Sequence, residues 1–126
     1  MASKTTILCV DDEETALFLR KAVLQKFGFE VITANSGRRA LDILASEQVD
    51  LVLSDLLMPE MPGTELAKAV KQRYPNLPVV VVSGVNEIPP EAGYADLFIS
   101  KLEGPIRLGE RIREVLDRNT TGPGIK

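Results

Sequence analysis

Apolar runs of strand length alternate along the chain with longer stretches whose apolar residues recur at helical spacing. Ile7-Leu8-Cys9-Val10 opens the series as a continuous apolar run, the form of a strand buried on both faces. Between Glu14 and Phe27, the residues Leu17, Val23, Leu24 and Phe27 follow helical spacing, and Gly28 stands where a helix C-cap belongs. Val31 to Ala34 reads as a second strand, after which Ser36 can cap a helix bearing Ala40, Leu41 and Leu44. Leu51-Val52-Leu53 is the third strand. Leu66, Ala67, Val70 and Tyr74 mark a third helix, stopped by Pro75. Val79-Val80-Val81-Val82 is β-branched throughout, hence a buried strand. Leu97-Phe98-Ile99 is the fifth, and a last helix begins near Pro105 with Ile106, Ile112, Val115 and Leu116 on one face.

This strand–helix alternation predicts an α/β fold, a parallel sheet with helices on both faces and right-handed crossovers. One connection is irregular. Between the fourth and fifth strands, Gly84 to Asp96 contains Pro89-Pro90 and Gly93, which leaves room for about one helical turn. The fourth helix of the series is therefore expected to be short or irregular. The length of 126 residues suits one domain. It is expected over residues 5–118, with the polar stretch 119–126 as a flexible tail.

Composition narrows the chemistry. A net charge of −3 and a pI near 5.0 leave no basic face for a phosphate backbone, so direct nucleic-acid binding is not expected. No apolar stretch approaches the ~20 residues of a membrane span, and Met1 to Thr6 lacks a signal-peptide pattern. With the single cysteine, Cys9, these features point to the cytoplasm and to no membrane association. The chain has no histidine. That excludes a Ser-His-Asp triad, a His-activated thiol and a His-containing zinc site.

In an open parallel sheet, ligands bind beyond the carboxyl ends of the strands. Asp11 and Asp12 follow the first strand, Ser54 and Asp55 the third, Ser83 the fourth and Lys101 the fifth. Singly, each has an ordinary reading: an acidic first helical turn, turn formers, a solvated lysine. Cys9 and Phe98 sit inside apolar runs and read as core. Jointly, the aspartates repel one another on one rim unless a cation compensates. Carboxylates without His or Cys suit a hard cation such as Mg²⁺. An aspartate can also attack phosphorus, with Lys101 and Ser83 meeting the transferring group.

Four motifs carry a resemblance: Val10-Asp11-Asp12-Glu13, Asp55-Leu56-Leu57-Met58-Pro59-Glu60-Met61-Pro62-Gly63, Val82-Ser83-Gly84 and Phe98-Ile99-Ser100-Lys101. The second reads D-x-x-M-P-x-M-x-G. Over residues 5 to 118 the chain resembles the receiver domain of two-component response regulators. That resemblance implies a flavodoxin-like, doubly wound five-stranded parallel sheet of order 2-1-3-4-5. It makes Asp55 the phosphoacceptor, Asp12 a Mg²⁺ ligand and Asp11 a ligand acting mainly through water. Asp55 itself and the backbone carbonyl of Leu57 complete the metal set. Ser83 falls at the switch hydroxyl, Lys101 at the phosphate-binding lysine, and Phe98 at the aromatic that turns inward.

The implied partners are a histidine kinase or histidine phosphotransfer protein, and a protein output partner or covalently linked output domain. The sequence departs from the family pattern where Leu102 replaces a proline after the lysine. A cis non-proline bond costs about 2.5–4 kcal/mol, so Lys101-Leu102 is expected to be trans. Two other functions compete. One is a receiver-shaped interaction module that no longer switches. The other is a small Mg²⁺-dependent phosphohydrolase, disfavoured because Leu57 occupies the position of the required second acid. The expected protein is therefore not an enzyme beyond its own phosphorylation and slow dephosphorylation.

Overall fold

The computed structural model describes residues 4–84 and 94–120. Each predicted apolar run forms a strand: β1 (Thr6–Val10), β2 (Glu30–Ala34), β3 (Leu51–Asp55), β4 (Val79–Ser83) and β5 (Leu97–Ser100). All pairs are parallel, in the order β2-β1-β3-β4-β5. The described helices are α1 (Glu14–Lys26), α2 (Gly37–Leu44), α3 (Gly63–Arg73) and α4 (Gly104–Thr120). This is the flavodoxin-like arrangement that the resemblance implies. The short helix expected between β4 and β5 falls largely in 85–93, outside the described residues. The last helix continues past residue 118 to Thr120, and 121–126 of the expected tail also lie outside them.

Strand side chains alternate between two cores because successive β-carbons point to opposite faces. Leu8, Val10, Val52, Val79 and Val81 meet Ala40, Ile43 and Leu44 of α2, and Leu66, Ala67 and Val70 of α3. On the other face, Ile7, Cys9, Leu51, Leu53, Val80, Val82 and Ile99 meet Leu17 and Leu24 of α1, and Leu108, Ile112 and Val115 of α4. Each buried Val or Leu contributes about 1.5–3 kcal/mol relative to exposure. β1, β3 and β4 are thus covered on both sides, which fixes their register and the level of their carboxyl ends.

The helix ends follow local chemistry. Ser36 caps α2 by accepting a hydrogen bond from the Arg39 N–H at 3.0 Å. After α1, the Gly28 N–H bonds the Gln25 carbonyl at 3.0 Å and the Phe29 N–H bonds that of Leu24 at 3.2 Å. That pair of bonds is a Schellman end, and it turns the chain into β2. Arg113 of α4 locks the same turn from outside. Its guanidinium lies 5.9 Å from the Phe27 ring centre and 5.1 Å from that of Phe29, and donates to the Phe27 carbonyl.

Candidate functional site

In-register pairing brings the strand ends to one level: Val10 lies opposite Ser54, Asp55 opposite Val82, and Ser83 opposite Ser100. Asp11, Asp55, Ser83 and Lys101 therefore share one rim. Asp11 and Asp55 are only 3% and 4% exposed. Two buried carboxylates are costly unless countercharge is supplied.

The countercharge comes from two directions. Arg20 of α1 places Nη1 2.6 Å from Asp11 Oδ2 and Nη2 3.6 Å from Asp55 Oδ1. Lys101 Nζ lies 2.8 Å from the same Asp55 Oδ1. The other carboxylate oxygens accept backbone hydrogen bonds, Asp11 Oδ1 from the Glu13 N–H (2.9 Å) and Asp55 Oδ2 from the Leu57 N–H (3.2 Å). Asp11 thus bends the β1–α1 loop. It does not cap α1, whose N-cap is Glu13 without a side-chain cap bond.

Sequence reasoning missed Arg20, because an arginine within a helix is ordinarily solvated. A signal was present. Leu17, Arg20 and Leu24 fall at i, i+3 and i+7, so the arginine lies on the stripe that also carries the two buried leucines of α1. Cys9, by contrast, behaves as core. Burial first of all pushes its thiol up to about 12; nearby Arg20 pulls it down less strongly, and Asp11 adds to the rise. Such a buried, protonated thiol packs as part of the core and is a poor nucleophile at neutral pH.

The loop after β3 explains the D-x-x-M-P-x-M-x-G motif physically. Leu56 and Met58 are buried in the α2–α3 core, with Met61 packed against them. The Leu56 N–H bonds the Val82 carbonyl at 2.9 Å, and the Gly63 N–H bonds the Leu56 carbonyl at 2.8 Å. A β-carbon added to Gly63 would drive into the backbone carbonyl oxygen of Asp55. Gly63 is what allows α3 to start directly against the residue whose carboxylate faces the rim.

The remaining predicted residues divide. Ser83 is buried at the end of β4, and Phe98 is partly buried against the α2–α3 core. Asp12 is exposed, and Leu57 is 61% exposed beside the carboxylates. Lys101 opens a 3₁₀ turn, Lys101–Glu103, in which Ser100 Oγ accepts from the Leu102 N–H at 3.1 Å. A proline at 102 would lack that donor. No cis peptide bond occurs among the described residues, so Lys101-Leu102 is trans as expected.

The donor set is all oxygen. Among the described residues, no three His, Cys, Asp or Glu side chains converge to cage a metal. Mg²⁺ does not need such a cage, since it binds through one or two carboxylates and retains waters. Among the described residues, Asp55 Oδ1 is buried and has no hydrogen bond of good geometry; the Arg20 and Lys101 cations are its countercharge. A buried carboxylate oxygen left in that condition fits a hard cation or an electrophile.

A family model described as the response regulator receiver domain matches residues 7–113. The chain belongs to the response regulator receiver family. The receiver is 31% identical over 118 residues to PhoP of Bacillus subtilis, an alkaline phosphatase synthesis transcriptional regulatory protein; the match covers 90% of this chain and 49% of PhoP. The chain spans about half or less of the curated relatives it matches. Among solved structures, a CheY-like receiver domain protein from Methanospirillum hungatei superposes with a TM-score of 0.86 at 31% identity, covering 94% of this chain and 98% of that one. TrrA of Thermotoga maritima, solved in complex with Mg(2+)-BeF, gives a TM-score of 0.82 at 28% identity, covering 88% of this chain and 98% of TrrA. No helix among the described residues is long and apolar enough to cross a membrane.

Proposed function

We propose that this receiver takes a phosphoryl group onto Asp55 from a phosphohistidine donor and uses it to switch a protein-binding surface. The observation that carries the reading is Asp55 itself: a buried carboxylate at the sheet rim whose Oδ1 lies 2.8 Å from Lys101 Nζ and has no hydrogen bond of good geometry among the described residues. In the transfer, a carboxylate oxygen of Asp55 forms a bond to phosphorus while the phosphorus–nitrogen bond of the donor breaks. The imidazole nitrogen leaves with the electron pair and takes up a proton. Mg²⁺, when bound, neutralises charge on the phosphoryl oxygens. Asp11, Asp12, Asp55 and the Leu57 carbonyl are its proposed ligands. Lys101 pairs with a phosphoryl oxygen and Ser83 donates its hydroxyl to another, and Phe98 turns inward behind it. The charge that phosphorylation adds shifts Phe98 between its outward and inward positions.

The proposed partners are a histidine kinase or phosphotransfer protein and, for output, a protein or a linked domain. Leu57, whose N–H bonds Asp55 Oδ2, and Leu102, next to Lys101, are 61% and 76% exposed. Apolar side chains exposed beside the acceptor suit contact with a protein donor. We assign the receiver unit to residues 5–118, a cytoplasmic location, no direct nucleic-acid contact and no turnover of foreign substrates.

The 3₁₀ turn at Leu102, which replaces the usual proline loop, supports a second reading: a receiver that binds partners without switching. Beryllofluoride with Mg²⁺ separates the two. Amide shifts that extend from Asp55 to Ser83, Phe98 and α4 are expected. Shifts confined to Asp55 and its neighbours would establish the passive module instead.

A further inference from the structure

Arg20 presents a positive charge to the same two carboxylates that are proposed to hold Mg²⁺. It contacts Asp11 at 2.6 Å and Asp55 at 3.6 Å, with its side chain only 14% exposed. A guanidinium and a divalent cation cannot share those oxygens without strong mutual repulsion. Arg20 also borders open space. A groove of about 440 Å³ lies between α1 and the start of α4, lined in part by Leu19, Val23, Ile99, Pro105 and Leu108, with Arg20 and Lys101 at its edge. A side chain on the boundary between a carboxylate pair and a groove has two places to be.

We propose that Arg20 is a built-in counter-cation that competes with the divalent metal for Asp11 and Asp55. In the metal-free protein it neutralises the buried pair and keeps the rim folded. Metal entry requires the guanidinium to leave the pair toward the groove, so the chain itself sets how much Mg²⁺ it needs. Arg20 acts through the aspartates and is a positioning residue. The inference rests on the proposed metal site.

The test uses the unphosphorylated protein and Mg²⁺ alone. Backbone amide shifts of Asp11 and Leu57 give the Mg²⁺ Kd, and the Arg20 Nε–Hε resonance of the wild type is followed in the same titration. Arg20→Met is expected to bind Mg²⁺ about tenfold more tightly, because a competing unit charge next to the metal is gone. Its Tm in EDTA is expected to fall and to recover more on adding Mg²⁺ than that of the wild type. Arg20→Lys, whose single ammonium cannot span both carboxylates, is expected to fall between the two. In the wild type the Arg20 resonance should move in step with the amides, a readout that stands even if Arg20→Met does not fold. Equal Kd values in wild type and variants, or a stationary Arg20 resonance while the amides titrate, would overturn the proposal and leave the metal site intact. No Mg²⁺ response in the wild type or any variant would overturn the metal site and the proposal together.

Discussion

Replacing Gly63 with alanine sets two effects against each other. Gly63 is the first residue of α3, where exchanging glycine for alanine ordinarily stabilises a helix by up to about 1 kcal/mol. Here the new β-carbon meets the carbonyl oxygen of Asp55 and the backbone of Leu56, and neither can rotate away as a side chain would. Asp55 is locked in the sheet opposite Val82, and Leu56 is bonded to the Val82 carbonyl, so α3 must shift instead. Overpacking of a buried site costs about 1–3 kcal/mol, and a backbone obstacle lies at the upper end. A net loss of about 2 kcal/mol is expected, on the order of 5–10 °C in Tm for a domain of this size. Urea unfolding followed by far-UV circular dichroism measures it. Gly37→Ala is the control: its β-carbon meets the thioether of Met61, a flexible side chain that can yield, so less than about 1 kcal/mol should be lost. If Gly63→Ala is as stable as the wild type or more so, the close approach of α3 to Asp55 is not what the glycine serves.

Two further outcomes follow from Cys9 and Asp96. The Cys9 thiol, pushed up to about 12 from 9.0, keeps its proton in the folded chain while the unfolded chain loses it above about pH 9. Stability should therefore fall as pH rises through that window, by up to about 1.4 kcal/mol per unit. Cys9→Ala should flatten this part of the curve; parallel urea midpoints for the two proteins above pH 9 would count against it. Asp96 Oδ2 accepts from the Val79 N–H at 2.7 Å and pairs with Lys71 at 2.7 Å. Asp96→Ala should cost about 1 kcal/mol by thermal melting, held down by the exposure of the carboxylate. Asp96→Asn should recover part of that loss through the N–H bond, and an Asn variant no better than Ala would refute this division.

The strands were legible because short apolar runs between turn residues and helical patterns have few other solutions, and even the Ser36 cap could be read from residue type and position. The rim was legible for the same reason: a parallel sheet puts every strand end at one level, so Asp55, Ser83 and Lys101 fall on one edge without any knowledge of distance. What could not be read was the partner of each charge. Asp11 is expected to act as a metal ligand through water, and nothing in the sequence pairs it with the Arg20 that its carboxylate meets while bending the β1–α1 loop. Arg20 itself is nine positions along the chain from Asp11, and only the folded helix shows that its long side chain reaches back over the strand ends. The exposed position of Asp12 was hidden for a related reason, since neighbouring residues in a loop diverge once one of them is fixed.

The reading of Asp55 as phosphoacceptor is tested most directly by incubating the protein with acetyl phosphate and Mg²⁺ and locating the label. Incorporation approaching one phosphate per chain is expected in the wild type, dependent on Mg²⁺, labile to hydroxylamine as an acyl phosphate is, and absent from Asp55→Asn. Equal labelling of the Asn variant, or none in the folded wild type, would contradict it.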